Sequence, residues 1–327
     1  MFRHGRRGFQ PWTEMCVSGK DIMKIQDAVV VITGASSGIG AALARLLGSG
    51  GARCVLAARR LPELLDVARA VDASGGNALA VQADVSTRSG GEAVIGRTLE
   101  AFGRVDVLVN NAGRGHLASV EETSDGVIDS IFRTNVYALW HTTRPALHAM
   151  RAQGSGHIIN MASMAGKIGF PFNSAYVAAK HACVGFTLAL RAELAGTPIH
   201  ASVVCPAGVK TPWASVTEGA PMLSLLSASG PAVKRIAAEK NILLPDIEGL
   251  IPPERVAEAI RECILHPVPE VFTHRGSREF AALAATNLLE AERRQLPVVL
   301  GEREVYVSQV RLPRYDSQGA SQGHDAL

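Results

Sequence analysis

Residues 25–276 read as a doubly wound α/β domain built on a parallel sheet, and three observations lead there. Short β-branched runs alternate with longer amphipathic stretches, each run is apolar almost throughout, and each closes on a polar cluster. Strands covered by helices on both faces carry such unbroken apolar runs, and regular alternation with helices implies parallel strands joined by right-handed crossovers. The first strand is AVVVIT from Ala28, followed by a helix through IGAALARLLGSG. RCVLAARR and ALAVQADV are the next two strands, with a helix between them. VDVLVNNAG, GHIINMAS and HASVVCPAG continue the series. PPERVAEAIRECILHP opens with prolines suited to a helix's first turn and carries an apolar stripe, and EVFTHRG supplies a last strand. No internal repeat or linker divides the stretch, so a single domain is expected.

The 327 residues are 47% apolar and 19% charged, enough to bury one large core. A net charge of +3, part of it from the leading FRHGRRG, argues against a nucleic-acid surface. Cys16, Cys54, Cys183, Cys205 and Cys263 show no CxxC spacing, which suits buried reduced thiols better than disulfides or a metal site. No apolar run reaches the roughly 18 residues of a membrane span, and the first 24 residues lack the apolar core of a signal peptide. A cytoplasmic protein is expected. Residues 1–24 read as a disordered N-terminal extension; residues 277–327 read as one amphipathic helix, SREFAALAATNLLEAERRQL, and a disordered tail, RYDSQGASQGHDAL.

Ligands on such sheets bind at the carboxyl ends of the strands, so TGASSG, AARR, ADV, NNAG, MAS and CPAG mark one site. TGASSGIG sets Gly34, Gly38 and Gly40 directly after a buried strand and at the mouth of a helix, with Ser36, Ser37 and Ile39 among them. Glycine lets the backbone approach a pyrophosphate, and the helix N-terminus offers N–H groups and a positive dipole end. The spacing is GxxxGxG rather than GxGxxG, so phosphate binding rests on the strand-to-helix context. An acidic residue ending the second strand would bond the ribose of NAD; that position is Ala58, with Arg59 and Arg60 after it. A guanidinium holds a 2′-phosphate through paired, charge-assisted bonds, which makes NADP(H) the expected cofactor. Arg59 is the expected anchor, and Arg60 the one more free to sit in solvent.

SAYVAAKHACVGF, from Ser174, puts Tyr176 and Lys180 about 40° apart on one helix face, one turn from each other. A neighbouring ammonium favours the phenolate and lowers the usual tyrosine value of about 10. Alone, the pair reads first as a surface lysine one turn from a half-buried tyrosine, so its chemistry needs corroboration from elsewhere in the chain. His181 points about 100° away from Lys180. The sequence suggests no partner for His116 or His141, and no metal-ligand spacing occurs.

These motifs in this order resemble the short-chain dehydrogenase/reductase family: TGASSGIG, NNAG at 110–113, Ser163, and YVAAK with Tyr176 thirteen residues after Ser163. IDSIFRTNVYALWHTTRPAL also matches and places Asn135 at the family's active-site asparagine. The resemblance spans residues 25–276 and implies a Rossmann fold and a nicotinamide-dependent oxidoreductase acting on CH–OH groups. By the same resemblance Tyr176 is the proton donor or acceptor at the substrate oxygen, and Lys180 lowers its pKa and bonds the nicotinamide ribose. Ser163 hydrogen-bonds the substrate oxygen, and Asn135 holds a water linking Lys180 to solvent. Asp84 and Val85 are implied at the adenine, Asn111, Ala112 and Gly113 under the adenosine ribose, and Val209 and Thr211 at the carboxamide. In PAGVKT the chain departs from the family's Pro-Gly turn, with Ala207 in the glycine's place and Gly208 after it, so a rearranged turn with a retained carboxamide contact is expected.

The family's substrate lid corresponds to residues 212–252, where Trp213, Met222, Leu223, Leu225, Leu226 and Ile236 suggest an apolar alcohol or ketone substrate; two ordinary amphipathic helices would show the same residues. The added C-terminal helix could cover this lid, bind a partner subunit or rest on a membrane surface, and its mixed-charge polar face favours packing on the chain itself. A homodimer or homotetramer is implied by resemblance. The expected activity is NADP(H)-dependent interconversion of a secondary alcohol and a carbonyl. Its rivals are reduction of a 3-oxoacyl thioester by the same chemistry and a catalytically silent NADP-binding scaffold or sensor.

Overall fold

The computed structural model describes residues 23–310 except 216, 220 and 221, so most of the N-terminal extension and the tail lie outside the described residues. Seven parallel strands form one sheet: β1 (Val29–Thr33), β2 (Arg53–Ala58), β3 (Asn77–Gln82), β4 (Val107–Asn110), β6 (Gly156–Met161), β7 (Ile199–Cys205) and β9 (Glu270–Phe272). Their spatial order is β3-β2-β1-β4-β6-β7-β9. β5 (His116–Leu117) and β8 (Glu218–Gly219) pair as a separate two-residue ribbon that no periodicity announces.

The alternation of side chains along each strand splits the core into two layers. Val30 and Ile32 of β1 pack with Leu43 and Leu47 of α1 (Gly38–Ser49), Leu64 of α2 (Leu61–Ala73) and Ile260 of α8 (Pro253–Leu265). Val29 and Val31 face the other way, toward Val94 and Ile95 of α3 (Arg88–Phe102), Met150 of α5 (Ala138–Gln153) and Leu190 of α6 (Ser174–Glu193). Every side chain of β1 is buried, which is why the run reads as continuously apolar. α4 (Asp125–Phe132) runs into α5 through a π-turn, Arg133–Tyr137.

The lid region carries one long helix, α7 (Met222–Glu239), rather than two. Leu225 and Ile236 are buried; the side chains of Met222, Leu223 and Leu226 lie outside the described residues. The expected single C-terminal helix is two, α9 (Ser277–Thr286) and α10 (Leu288–Val310). Asn287 breaks it: its Oδ1 accepts the Glu290 N–H at 3.1 Å and caps a new helix. Among the described residues no helix is long and apolar enough to cross a membrane, and no group of three or more His, Cys, Asp or Glu is placed to hold a metal.

Candidate active site

The crossover from β3 passes over β2 and β1 to β4, so helices switch faces there and a crevice opens at the carboxyl ends of β1 and β4. Gly34 ends β1 with φ +66°, and a Cβ on it would lie 2.9 Å from Ala112 Cα. A Cβ on Gly40 would lie 2.5 Å from the Gly34 carbonyl oxygen, so a side chain at either position fills the cradle. Thr211 closes the opposite rim, its Cβ 3.2 Å from where a Cβ on Gly38 would stand.

Ser37 precedes α1 but makes no capping bond with its hydroxyl. Instead Arg60 Nη2 donates to Ser37 Oγ at 2.9 Å and to Ser36 Oγ at 3.1 Å, while Nη1 faces Glu63 at 3.4 Å. Of the two arginines, Arg60 is the one that turns onto the glycine loop. Both arginines are exposed, and the Arg59 backbone carbonyl accepts from Gln82 Nε2 at 3.0 Å.

The NNAG turn is stitched to the glycine loop. Thr33 Oγ1 accepts the N–H groups of Asn111 and Ala112, both at 3.0 Å, and Asn111 Nδ2 donates to the carbonyls of Thr33 (2.9 Å) and Gly34 (3.2 Å). Behind it, buried Asn110 donates to Asn160 Oδ1 at 2.9 Å and accepts from Thr142 Oγ1 at 2.7 Å, while Asn160 donates to Thr187 Oγ1 at 3.0 Å. This network ties β4 and β6 to α5 and α6, and leaving any one member unpaired would cost about 1–3 kcal/mol. Asp84 Oδ1 accepts the Ser86 N–H at 3.0 Å, and His141 Nδ1 donates to the Val85 carbonyl at 3.0 Å. His141, without a partner in the sequence reading, thus braces the segment proposed to meet the adenine.

Four residues gather on the other side of the crevice. Lys180 is 5% exposed; its Nζ donates to the Met161 carbonyl at 2.7 Å and lies 5.6 Å from the centre of the Tyr176 ring. Ser163 Oγ accepts the Ala165 N–H at 3.1 Å and donates to the Pro206 carbonyl at 3.3 Å. Asn135 sits in the π-turn, a feature frequent at functional sites, where Ala138 N–H reaches back to the Arg133 carbonyl. Its Nδ2 donates to the carbonyls of Arg114 (2.9 Å) and Ile131 (3.0 Å), and its buried Oδ1 has no hydrogen-bond partner among the described residues. A Cβ on Gly113 would lie 2.9 Å from that Oδ1 and 3.5 Å from Lys180 Nζ, so both converge on the end of NNAG.

Burial dominates at the tyrosine. It pushes Tyr176 up to about 12, with the Ser163 hydroxyl pulling the other way, and burial also lowers Lys180. The direction for the phenol is thus set by burial and the Ser163 hydroxyl, with Lys180 placed beside the ring. Trp213 stands 5.2 Å from Tyr176 between ring centres and rests on Gly115, where a Cβ would lie 2.5 Å from the indole. His181 is exposed, and its Nδ1 bonds its own helix at the Val177 carbonyl. His116 is buried, and burial lowers its pKa.

A doubly wound sheet with a glycine cradle at its switch point, and a tyrosine and a buried lysine across the crevice, defines a dinucleotide-binding protein equipped for proton transfer. The cradle that a Cβ would fill, the arginine on its two serines and the unpaired Asn135 Oδ1 all fit a nicotinamide dinucleotide. A family model for short chain dehydrogenase matches residues 28–220. A ketoacyl reductase, HetN, of Nostoc sp. is 35% identical over 247 residues, covering 76% of this chain and 78% of its own. A short-chain dehydrogenase/reductase of Burkholderia phymatum solved with NAD superposes with a TM-score of 0.70 at 30% identity, covering 81% of this chain and 95% of its own. A metagenomic short-chain oxidoreductase solved with NADP gives 0.61 at 31% identity, over 76% and 97%. The chain belongs to the short-chain dehydrogenase/reductase family, and it is an oxidoreductase acting on CH–OH groups.

Proposed function

We propose that the protein reduces a ketone or aldehyde to an alcohol with NADPH, with Tyr176 as the proton donor. The observation that carries the cofactor choice is Arg60, held over Ser36 and Ser37 at the end of a β2 that closes on Ala58 instead of an acid. A 2′-phosphate would exchange those two neutral acceptors for a charged one, a gain in bond strength that the 2′-hydroxyl of NAD does not offer. Gly34, Gly38 and Gly40 with Ser36, Ser37 and Ile39 would hold the pyrophosphate, Asp84 and Val85 the adenine, and Asn111, Ala112 and Gly113 the ribose. When bound, the reduced nicotinamide supplies the hydride.

The chain's own residues manage the proton. As negative charge grows on the carbonyl oxygen, Tyr176 gives up its hydroxyl proton and Ser163 stabilises the oxygen, turning from the Pro206 carbonyl. Lys180 steadies the phenolate left behind, and the free Asn135 Oδ1 accepts from a water through which the phenol is reprotonated. Trp213 against the Tyr176 ring, and the separate cluster of Leu117, Phe172 and Leu225, supply apolar surface in keeping with an apolar substrate. A 3-oxoacyl thioester is the second reading, favoured by relatives such as the Nostoc ketoacyl reductase. Exposed Tyr137, Trp140 and Leu188 around α5 and α6 support pairing of copies, and the four described cysteines, free and buried, support a reducing cytoplasm.

A turnover screen with NADPH and NADH against aliphatic, steroid, sugar and acyl-thioester carbonyls tests the reading. Faster turnover with NADPH, lost in Tyr176→Phe, is expected. Binding without turnover across the panel would instead point to a silent scaffold.

A further inference from the structure

The turn that departs from the family pattern is held from outside the matched region. Neither Ala207 nor Gly208 adopts a positive φ, so the turn does not use the freedom a glycine after Pro206 would have brought. Ala207 packs its methyl toward Met164, Ile168 and Phe280. Its backbone N–H donates to His274 Nδ1 at 3.2 Å, and His274 Nε2 donates to the Gly208 carbonyl at 2.8 Å. One imidazole therefore spans the peptide from both sides. Nδ1 also receives the Thr273 hydroxyl at 2.9 Å, so with two donors aimed at it this nitrogen carries the lone pair and Nε2 the proton. His274 is 4% exposed, and the Ser277 hydroxyl fixes its carbonyl at 2.6 Å.

What the clamp holds faces the chemistry on two sides. Upstream, the Pro206 carbonyl accepts from Ser163 Oγ and from the Met164 N–H at 2.8 Å. Downstream, the Gly208 carbonyl also accepts the Ile251 N–H at 3.1 Å, and Val209 bridges to Ile251 ahead of Thr211. We propose that His274, as its neutral Nε2–H tautomer, is a positioning residue that sets the nicotinamide end of the cofactor site and the rest position of Ser163. The proposal rests on the cofactor reading above. His274 supplies by side-chain hydrogen bonds a turn geometry that the chain does not build with a glycine after Pro206.

The test uses the full chain and whichever of NADPH and NADH the wild type binds more tightly, beside the matching ADP-ribose, which lacks nicotinamide. His274→Phe is expected to weaken the dinucleotide about tenfold while the ADP-ribose changes by less than about twofold, since only the nicotinamide end loses its two bonds. His274→Gln, whose amide keeps one acceptor and one donor, is expected to recover most of that loss. Equal weakening of both ligands, or of neither, overturns the proposal, because a merely structural histidine predicts the first and an idle one the second. Nitrogen-15 spectra of the histidine-labelled wild type read the tautomer whether or not the variants fold, and a protonated Nδ1 at neutral pH also overturns it. A wild type that binds neither dinucleotide fails at the cofactor reading itself and removes the proposal with it.

Discussion

Arg60 reaches the glycine loop because α2 starts at Leu61 with Pro62 in its first turn, which leaves residue 60 as the capping position turned back across the crevice. That signal was present in the sequence; the order of two adjacent arginines alone could not reveal which one turns inward. Arg60→Glu should raise the KM for NADPH about 10–100-fold, the worth of one or two charge-assisted bonds, and barely change that for NADH. Arg59→Glu should do far less, and equal effects of the two substitutions would return the role to Arg59. Tyr176 gives a pH prediction with a definite sign. Its phenol, raised to about 12 by burial, stays protonated through neutrality, so carbonyl reduction should be level with pH. Alcohol oxidation needs the phenolate and should climb up to tenfold per pH unit between about pH 7 and 9, less steeply to the extent that a positively charged nicotinamide lowers the phenol. Oxidation rates independent of pH over that range would show that another group takes the proton.

The strands were legible because burial on both faces writes itself as apolar runs, and the candidate site residues could be picked out because YVAAK, Ser163 and NNAG stand at readable spacings. What stayed hidden is made by backbone pairing or by long-range packing. The β5–β8 ribbon is two residues long on each side, and the π-turn at Asn135 lies inside an unbroken helical pattern. Asn287 three residues before Glu290 was a readable capping signal, yet the apolar stripe ran straight through it. The largest surprise is α10, which crosses α7 so closely that a Cβ on Gly301 would lie 2.9 Å from the Val233 backbone nitrogen. It delivers Tyr306 into a cluster with Leu117 and Leu225. The Tyr306 ring stacks on Phe172 at 4.0 Å and 6°, and its hydroxyl donates to Glu122 Oε2 at 2.7 Å and accepts the Ser119 N–H at 3.2 Å. Phe172, held at φ +59° and bonded through its carbonyl to the Ala118 N–H at 2.9 Å, is thereby pinned four residues before Tyr176. Tyr306→Ala should cost about 3–5 kcal/mol and raise the KM for the carbonyl substrate more than that for the cofactor. Tyr306→Phe, which keeps the stack, should cost only about 1 kcal/mol. Urea titration with paired KM measurements checks both, and a cofactor KM rising in step with the substrate KM would show that α10 supports the whole crevice rather than its substrate wall.

The stability of the whole chain should carry opposing pH dependences from two buried groups with no part in the proposed chemistry. His157, deep in the sheet with Nε2 bonded to Ser202 Oγ at 2.8 Å, is lowered by burial to about 3. The unfolded chain binds a proton there first as pH falls below about 6.5, so this histidine destabilises the fold on the acid side. Glu302, on α10 one turn before Tyr306, is 7% exposed with no hydrogen-bond or ion-pair partner among the described residues, and burial raises it to about 7. Its folded value lies above its unfolded one, so its contribution is fully present below the unfolded value of 4.5, shrinks as pH rises, and is lost above 7. A shift of that size corresponds to roughly 3 kcal/mol once the carboxylate is charged. Glu302→Gln keeps the shape and removes the charge, so it isolates this group from His157. The variant should match wild type at about pH 3.5 and exceed it by roughly 3 kcal/mol at about pH 8, as read from urea unfolding at each pH. A gap that stays constant with pH would mean that Glu302 ionises freely in the fold, and that α10 packs against α7 without confining a charge between them.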